Sequence, residues 1–161
     1  MTAIDDKWRQ IPWIGNPVDE GAGSEEMAMP DGRGRARDFQ NGTITWTAET
    51  GAHEVHGDIR VKWAQQRFLG YPLTDETACP DGVGRFNHFE NGSVYWTPDI
   101  GAHEVHGMIR NKWQEQGWER GRLGYPVSDE QGFEGGRVSR FQHGAIKWTP
   151  SGGAVVAFNI D

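Results

Sequence analysis

The sequence predicts an α+β fold of three tandem repeats, each a short helix followed by a small antiparallel β-meander, arranged as an array or a pseudo-symmetric closed assembly. Three observations predict it. Gly51-Ala52-His53-Glu54-Val55-His56-Gly57 recurs unchanged as Gly101-Ala102-His103-Glu104-Val105-His106-Gly107. A fixed period of this size marks a repeat architecture. Three Lys-Trp pairs, at Lys7-Trp8, Lys62-Trp63 and Lys112-Trp113, each lead to an x-Gly-x-Pro step. Trp46, Trp96 and Trp148 close equivalent Phe…Trp-Thr segments. The units run over 1–57 (divergent), 58–107 and 108–161, the last ending on a capping strand.

The opening of each unit reads as a helix. Ile59 and Trp63, or Ile109 and Trp113, are four apart and share one helical face. Asp58 stands where the helix N-terminus favours negative charge. Gly70 and Gly117 are the expected stops. The steps Ile14-Gly15-Asn16-Pro17, Leu69-Gly70-Tyr71-Pro72 and Leu123-Gly124-Tyr125-Pro126 leave helical geometry, because the residue before proline is driven to extended backbone. Asp19-Glu20, Asp75-Glu76 and Asp129-Glu130 follow, then a glycine-rich loop.

A hairpin comes next. Asn41-Gly42, Asn91-Gly92 and His143-Gly144 mark its turn, and Asn-Gly suits a type I′ geometry. A two-residue turn there pairs Phe89 with Val94 and Asn87 with Trp96, and places them on one face with Arg85. That face is nearly constant among units and reads as core, with the three tryptophans packed in it. The opposite face varies: Ala36, Asp38, Thr45; then Phe86, His88, Tyr95; then Val138, Arg140, Lys147. It is expected to lie outward or against a partner. Gly-Ala-His-Glu-Val-His aligns with Gly153-Ala154-Val155-Val156-Ala157-Phe158, whose β-branched and aromatic content marks a strand.

Composition narrows the chemistry. Net charge is -7, which argues against nucleic acid or an anionic membrane surface as partner. No apolar run is long enough for a transmembrane helix and no signal peptide is visible at the N-terminus. One cysteine, Cys79, excludes an intrachain disulfide and reads as a small buried hydrophobe. His-Glu-Val-His is one residue short of the zinc-protease spacing, and a strand sends its two histidines to opposite faces. Val155 and Phe158 replace them in the third copy, so no metal site and no cofactor are expected. The Asp-Glu pairs are the best acid/base candidates, but adjacent residues on an extended chain point apart. Turn capping by Asp, with Glu exposed or paired to an Arg such as Arg85, is the simpler reading.

Leu69-Gly70-Tyr71-Pro72, Leu123-Gly124-Tyr125-Pro126, the Gly-Ala-His-Glu-Val-His-Gly copies and Asp81-Gly82-Val83-Gly84-Arg85-Phe86 resemble the LGFP repeat family, with tyrosine in the aromatic position. Unit one departs from the pattern at Asn16. The resemblance implies a non-catalytic module that holds proteins on envelope polysaccharide, outside the cell or in the cell wall. Carbohydrate binding through repeated sites is therefore the leading expectation, since linked weak sites gain avidity. The expected contacts are Tyr71 and Tyr125 with the junction residues His53, Glu54, His56, His103, Glu104 and His106. Trp118, in a glycine-flanked loop, is either an extra contact or a local plug. A protein-interaction or homo-oligomerisation module using the variable hairpin face is the alternative, with a hydrolase behind it.

Overall fold

Helix α1 spans Ala3–Gln10, α2 Gly57–Gln65 and α3 Gly107–Glu115 in the computed structural model, which describes residues 1–21 and 23–159. The assignment of the third unit through Asp161 thus includes two residues, Ile160 and Asp161, outside the described ones. Ile4, Ile59 and Ile109 are buried at the foot of each helix, with a tryptophan one turn on. Thr2 closes α1 with a capping box: its hydroxyl accepts from the Asp5 amide (3.2 Å) and its amide donates to the Asp5 carboxylate (3.1 Å). His56 and His106 stand at the N-caps of α2 and α3 without capping them by side chain. A single 3-10 turn follows each helix, at Pro12–Ile14, Arg67–Leu69 and Trp118–Arg120. Gly70 therefore stops the 3-10 turn and not α2, which ends five residues earlier at Gln65.

Each helix leads into a four-stranded antiparallel meander. The first comprises β1 (Met27–Ala28), β2 (Gly34–Phe39), β3 (Gly42–Thr47) and β4 (Gly51–Val55). The second has β5 (Thr77–Ala78), β6 (Arg85–Phe89), β7 (Gly92–Thr97) and β8 (Gly101–Val105). The third has β9 (Gln131–Phe133), β10 (Gly136–Phe141), β11 (Gly144–Thr149) and β12 (Gly153–Phe158). The junction segment is thus a strand in all three units, and a short edge strand precedes each hairpin.

The hairpin register differs from the expected one by two residues. Phe89 pairs with Gly92, Asn87 with Val94 and Arg85 with Trp96. A shift of two preserves which side chains share a face. Asn91 and Gly92 are absent from the positive-φ positions, so the turn is not type I′. Gly92 is needed for space: a Cβ there would lie 2.7 Å from Leu69 Cδ2 and 3.0 Å from the Val105 carbonyl oxygen. Asn91 instead donates its side-chain amide to the Phe68 carbonyl (2.9 Å), and Asn41 does the same to Trp13 (2.9 Å). The asparagine pins the 3-10 turn against the hairpin tip.

The constant face packs against its own unit's helix. Phe39, Ile44 and Ile14 surround Ile4, and Phe89, Val94 and Leu69 surround Ile59. Trp46, Trp96 and Trp148 are half-buried against these cores. The variable face corrects the sequence reading. In the first two units it is covered by the helix of the next unit: Thr45 and Tyr95 are buried, Arg60 of α2 donates to Thr43 (2.6 Å), and Arg110 of α3 donates to Ser93 (2.7 Å). In the third unit the same face carries exposed Arg140, Lys147 and Val155. It varies because its neighbour varies. Among the described residues no hydrogen bond or ion pair joins unit one to unit three.

Candidate functional site

The sequence candidates converge on the two junctions between units. At the first, His53 Nδ1 meets Asp75 Oδ1 (3.2 Å) and its Nε2 meets the Thr50 carbonyl oxygen (2.8 Å). Asp75 also accepts from the Glu54 amide (3.1 Å) and pairs with Lys7 of α1. Glu54, 2% exposed, accepts from His56 Nδ1 (2.6 Å) and from the Glu76 amide (2.9 Å). His56 Nε2 reaches Glu76 Oε2 (2.9 Å), which Arg85 also contacts (3.0 Å). The β4 strand of unit one thus grips the Asp-Glu step of unit two by a closed set of charged bonds. The strand ends at Val55, so the turn at His56 brings both histidines to one seam despite their opposite strand faces.

The second junction repeats this set. His103 meets Asp129 (3.2 Å), Lys62 meets Asp129 (2.6 Å), and the Glu104 amide donates to Asp129 (3.1 Å). His106 meets Glu104 (2.6 Å) and Glu130 (3.2 Å), and Arg137 meets Glu130 (2.9 Å). The expected Arg85–Glu76 pairing is present, but both glutamates are nearly buried, not exposed.

The charges follow from these contacts. The Glu54 and Glu76 carboxylates hold the His56 imidazolium up to about 9, against the loss of hydration. Glu104 raises His106 in the same way. Burial pushes Asp75 and Asp129 up, but the histidine, the lysine and the strand amide outweigh it and hold both at about 2. His56 is therefore cationic, and Asp75 and Asp129 are anionic, at neutral pH. Among the described residues no group of three or more His, Cys, Asp or Glu side chains is placed to hold a metal ion.

Tyr71 and Tyr125 are not exposed platforms. Each is buried, and each projects into the glycine-rich loop of the preceding unit. Tyr71 donates to Asp31 (2.7 Å) and Tyr125 to Asp81 (2.7 Å). Gly84 makes the space: a Cβ there would lie 2.1 Å from the Tyr125 hydroxyl. Burial, with the bond to Asp31, pushes the Tyr71 phenol up to about 12.

These two contacts explain the divergent copies. Unit one has Asn16 where the tyrosine would engage a preceding unit. Unit three has Val155 and Phe158 for the histidines, and Glu134-Gly135-Gly136 in place of Asp-Gly-x-Gly. Each motif is kept where a neighbouring unit uses it.

The exposed aromatic rings lie elsewhere. Trp13 is 47% and Phe68 is 44% exposed, at equivalent positions in the 3-10 turns. Trp13 meets the His56 ring edge-on with centroids 4.6 Å apart, and Phe68 meets His106 at 4.6 Å. In unit three the pair is inverted: the Arg122 guanidinium lies 3.9 Å over the Phe158 ring. Sequence reasoning missed Trp13 and Phe68. The available signal was a second large apolar residue beside Ile14 or Leu69 in a turn too short to bury both.

A family model for the LGFP repeat matches residues 23–68, 69–121 and 123–159. The chain belongs to the LGFP repeat family. The family's windows begin later than the helix-first division, at 23, 69 and 123, so the Leu-Gly-x-Pro step opens each repeat after the first. No curated protein matches the chain. No helix is long and apolar enough to cross a membrane. In this chain both His-Glu-Val-His and the Leu-Gly-Tyr-Pro tyrosine join one repeat to its neighbour.

Proposed function

We propose that this LGFP array is a non-catalytic glycan-binding module, acting outside the cell or on the cell wall. The observation that carries the reading is the pair of exposed rings, Trp13 and Phe68, one repeat apart. An aromatic face with polar groups at its edge suits the apolar face and hydroxyl rim of a sugar ring. His56 and His106 brace the two rings, and Glu54 and Glu104 hold those histidines in place. His53 and His103 fix the seam beneath, through Asp75 and Asp129. Tyr71 and Tyr125 set the spacing of the units and so of the platforms. A polymer offers repeated ligands to repeated sites, and two weak platforms on one rigid stack gain avidity. A polymeric envelope polysaccharide is the ligand class the family likeness favours.

The absence of catalysis is part of the reading. The Asp75 and Asp129 carboxylates are each committed to a histidine, a lysine and a strand amide, and those of Glu76 and Glu130 to a histidine and an arginine, which leaves them poor acid/base groups. Sedimentation with insoluble cell-wall polysaccharide tests the proposal. Retention is expected for the intact chain, about tenfold weaker with Trp13→Ala or Phe68→Ala, and lost with both. No retention on any wall polysaccharide, or retention unchanged in the double variant, sinks it. Hydrolysis of a glycoside or ester that disappears with Glu76→Gln would replace it with an enzyme.

A further inference from the structure

The two junctions are built from equivalent positions and are filled differently. Between units two and three, the Trp118 indole lies beside His88 (ring centroids 5.1 Å), Trp113 (5.4 Å) and Tyr95 (6.3 Å). The Arg110 guanidinium sits 5.0 Å from its ring centre, and Phe86 stacks on Tyr95 at 5.0 Å. Trp118 arrives on an insertion: Trp113 is ten positions from Leu123, whereas Trp63 is six from Leu69. It is held at φ 58, the positive value of a non-glycine residue, which costs on the order of 1 kcal/mol. The aromatic filling of that junction outweighs the strain.

Between units one and two the same scaffold lacks the filling. Asp38 stands for His88, Thr45 for Tyr95 and Ala36 for Phe86, and the insertion is missing. Trp63 and Arg60 remain where Trp113 and Arg110 stand. The result is a cavity of about 650 Å³, lined among others by Met27, Met29, Ala36, Asp38, Arg60 and Trp63. That volume falls in the range of small-molecule sites. Beneath it, on the same sheet face as Ala36, the Thr45 hydroxyl is fully buried and has no hydrogen-bond partner among the described residues. A buried hydroxyl left unpaired costs about 1–3 kcal/mol.

We propose that this cavity is a ligand site for a planar aromatic group of indole or phenol size. The second junction shows the fit: the equivalent space holds an indole against a tryptophan, with an arginine over its face. Here Trp63 and Arg60 supply those two contacts. Asp38 stands where the His88 ring meets Trp118, and its carboxylate accepts an N–H or O–H from the rim of the bound ring, as it already accepts the Thr43 hydroxyl (2.8 Å). The methionines, polarizable and adaptable, close on the other side. The site is separate from the Trp13 and Phe68 platforms and does not depend on the glycan reading.

Titration of the full chain with indole, read by methyl resonances, tests this. The methyl signals of Met27, Met29, Ala36 and Val61 are expected to shift saturably, and those of Val138 and Val155 in unit three to stay put. Ala36→Phe with Thr45→Tyr installs the unit-two side chains and should weaken indole binding at least tenfold. Arg60→Met, which keeps the apolar stem, guards against a misfolded plug and should weaken binding severalfold. No saturable shift, or binding by the plugged and Arg60→Met variants as tight as by the unaltered chain, overturns the proposal. So does a soluble wall oligosaccharide that moves these methyls when indole does not, or a dimer in light scattering that buries them.

Discussion

The junction between units one and two and that between units two and three share their charged clasp and differ in their filling. Both use histidine, glutamate, aspartate and lysine at matching distances, within a few tenths of an ångström. The second adds a continuous apolar cluster that runs from Cys79 and Tyr95 through Trp113 to Phe141 and Ile146. The first has two separate clusters, the cavity between them, and an Arg33–Glu90 pair on its surface (2.7 Å). An exposed pair of that kind contributes at most about 1 kcal/mol. The difference teaches a division of labour. The clasp fixes register and orientation, because its bonds are directional and its buried charges tolerate no other partner. The aromatic filling supplies coupling strength, because apolar area does. Unit one is therefore oriented as firmly as unit three but held more weakly.

The largest test exchanges equivalent tryptophans. Trp113 is fully buried, and Trp113→Ala should cost about 4 kcal/mol. Trp63 borders the cavity and is half-exposed, so Trp63→Ala should cost about half as much. Chemical denaturation reads both, and equal losses would erase the distinction between junctions. Next comes the clasp. Glu54→Gln and Glu104→Gln each remove a buried carboxylate that holds an imidazolium, at about 3 kcal/mol. In calorimetry Glu54→Gln should split the transition, with unit one melting first. Glu104→Gln should lower a transition that stays single.

The pH dependence follows, on the order of 2 kcal/mol. The His56 pKa is raised from 6.5 to about 9, so its contribution is complete below pH 6.5 and lost as pH rises through 9. His88, desolvated and close to Arg110, is lowered to about 4. Its contribution is present above pH 6.5 and lost as pH falls through 4. Asp75 and Asp129, held at about 2, lose theirs as pH falls below 3.8 toward 2. Thermal stability should thus peak near pH 6.5, and His88→Asn should flatten the fall between pH 6.5 and 4 while leaving the loss below 3.8 and the alkaline side as they are. Smallest is Thr45→Val, which removes the unpaired hydroxyl without changing shape and should raise stability by about 1 kcal/mol. A loss of that size instead would mean the hydroxyl has a partner in solution.

Much of this was legible in the sequence, and the misses have physical causes. Ile59 and Trp63 marked the helix, and the Val-Val-Ala-Phe run at 155–158 revealed the junction strand that the histidines disguise. The hairpin register was mistaken because Asn-Gly has two uses: positive φ, or a small residue under a neighbouring chain with an amide donor beside it. Gly92 and Asn91 serve the second. The variable face reads as outward or partner-facing because variation is ambiguous between solvent and unlike neighbours. Tyr71 and Tyr125 drew attention as ligand contacts, yet their partners, Asp31 and Asp81, lie 40 and 44 residues away, where no local pattern reveals them. The divergent residues carried the better signal: Asn16 in unit one and Val155 and Phe158 in unit three each mark a contact with no neighbouring unit in this sequence to receive it.

Native-state hydrogen exchange tests the central claim most directly. If the clasp orients and the aromatic filling couples, amides of β2–β4 should open at a lower free energy than those of β6–β8 and β10–β12, which should open together. Glu54→Gln should widen that gap and leave the second and third sheets unchanged. A common opening free energy across all three sheets, unmoved by Glu54→Gln, would contradict the account.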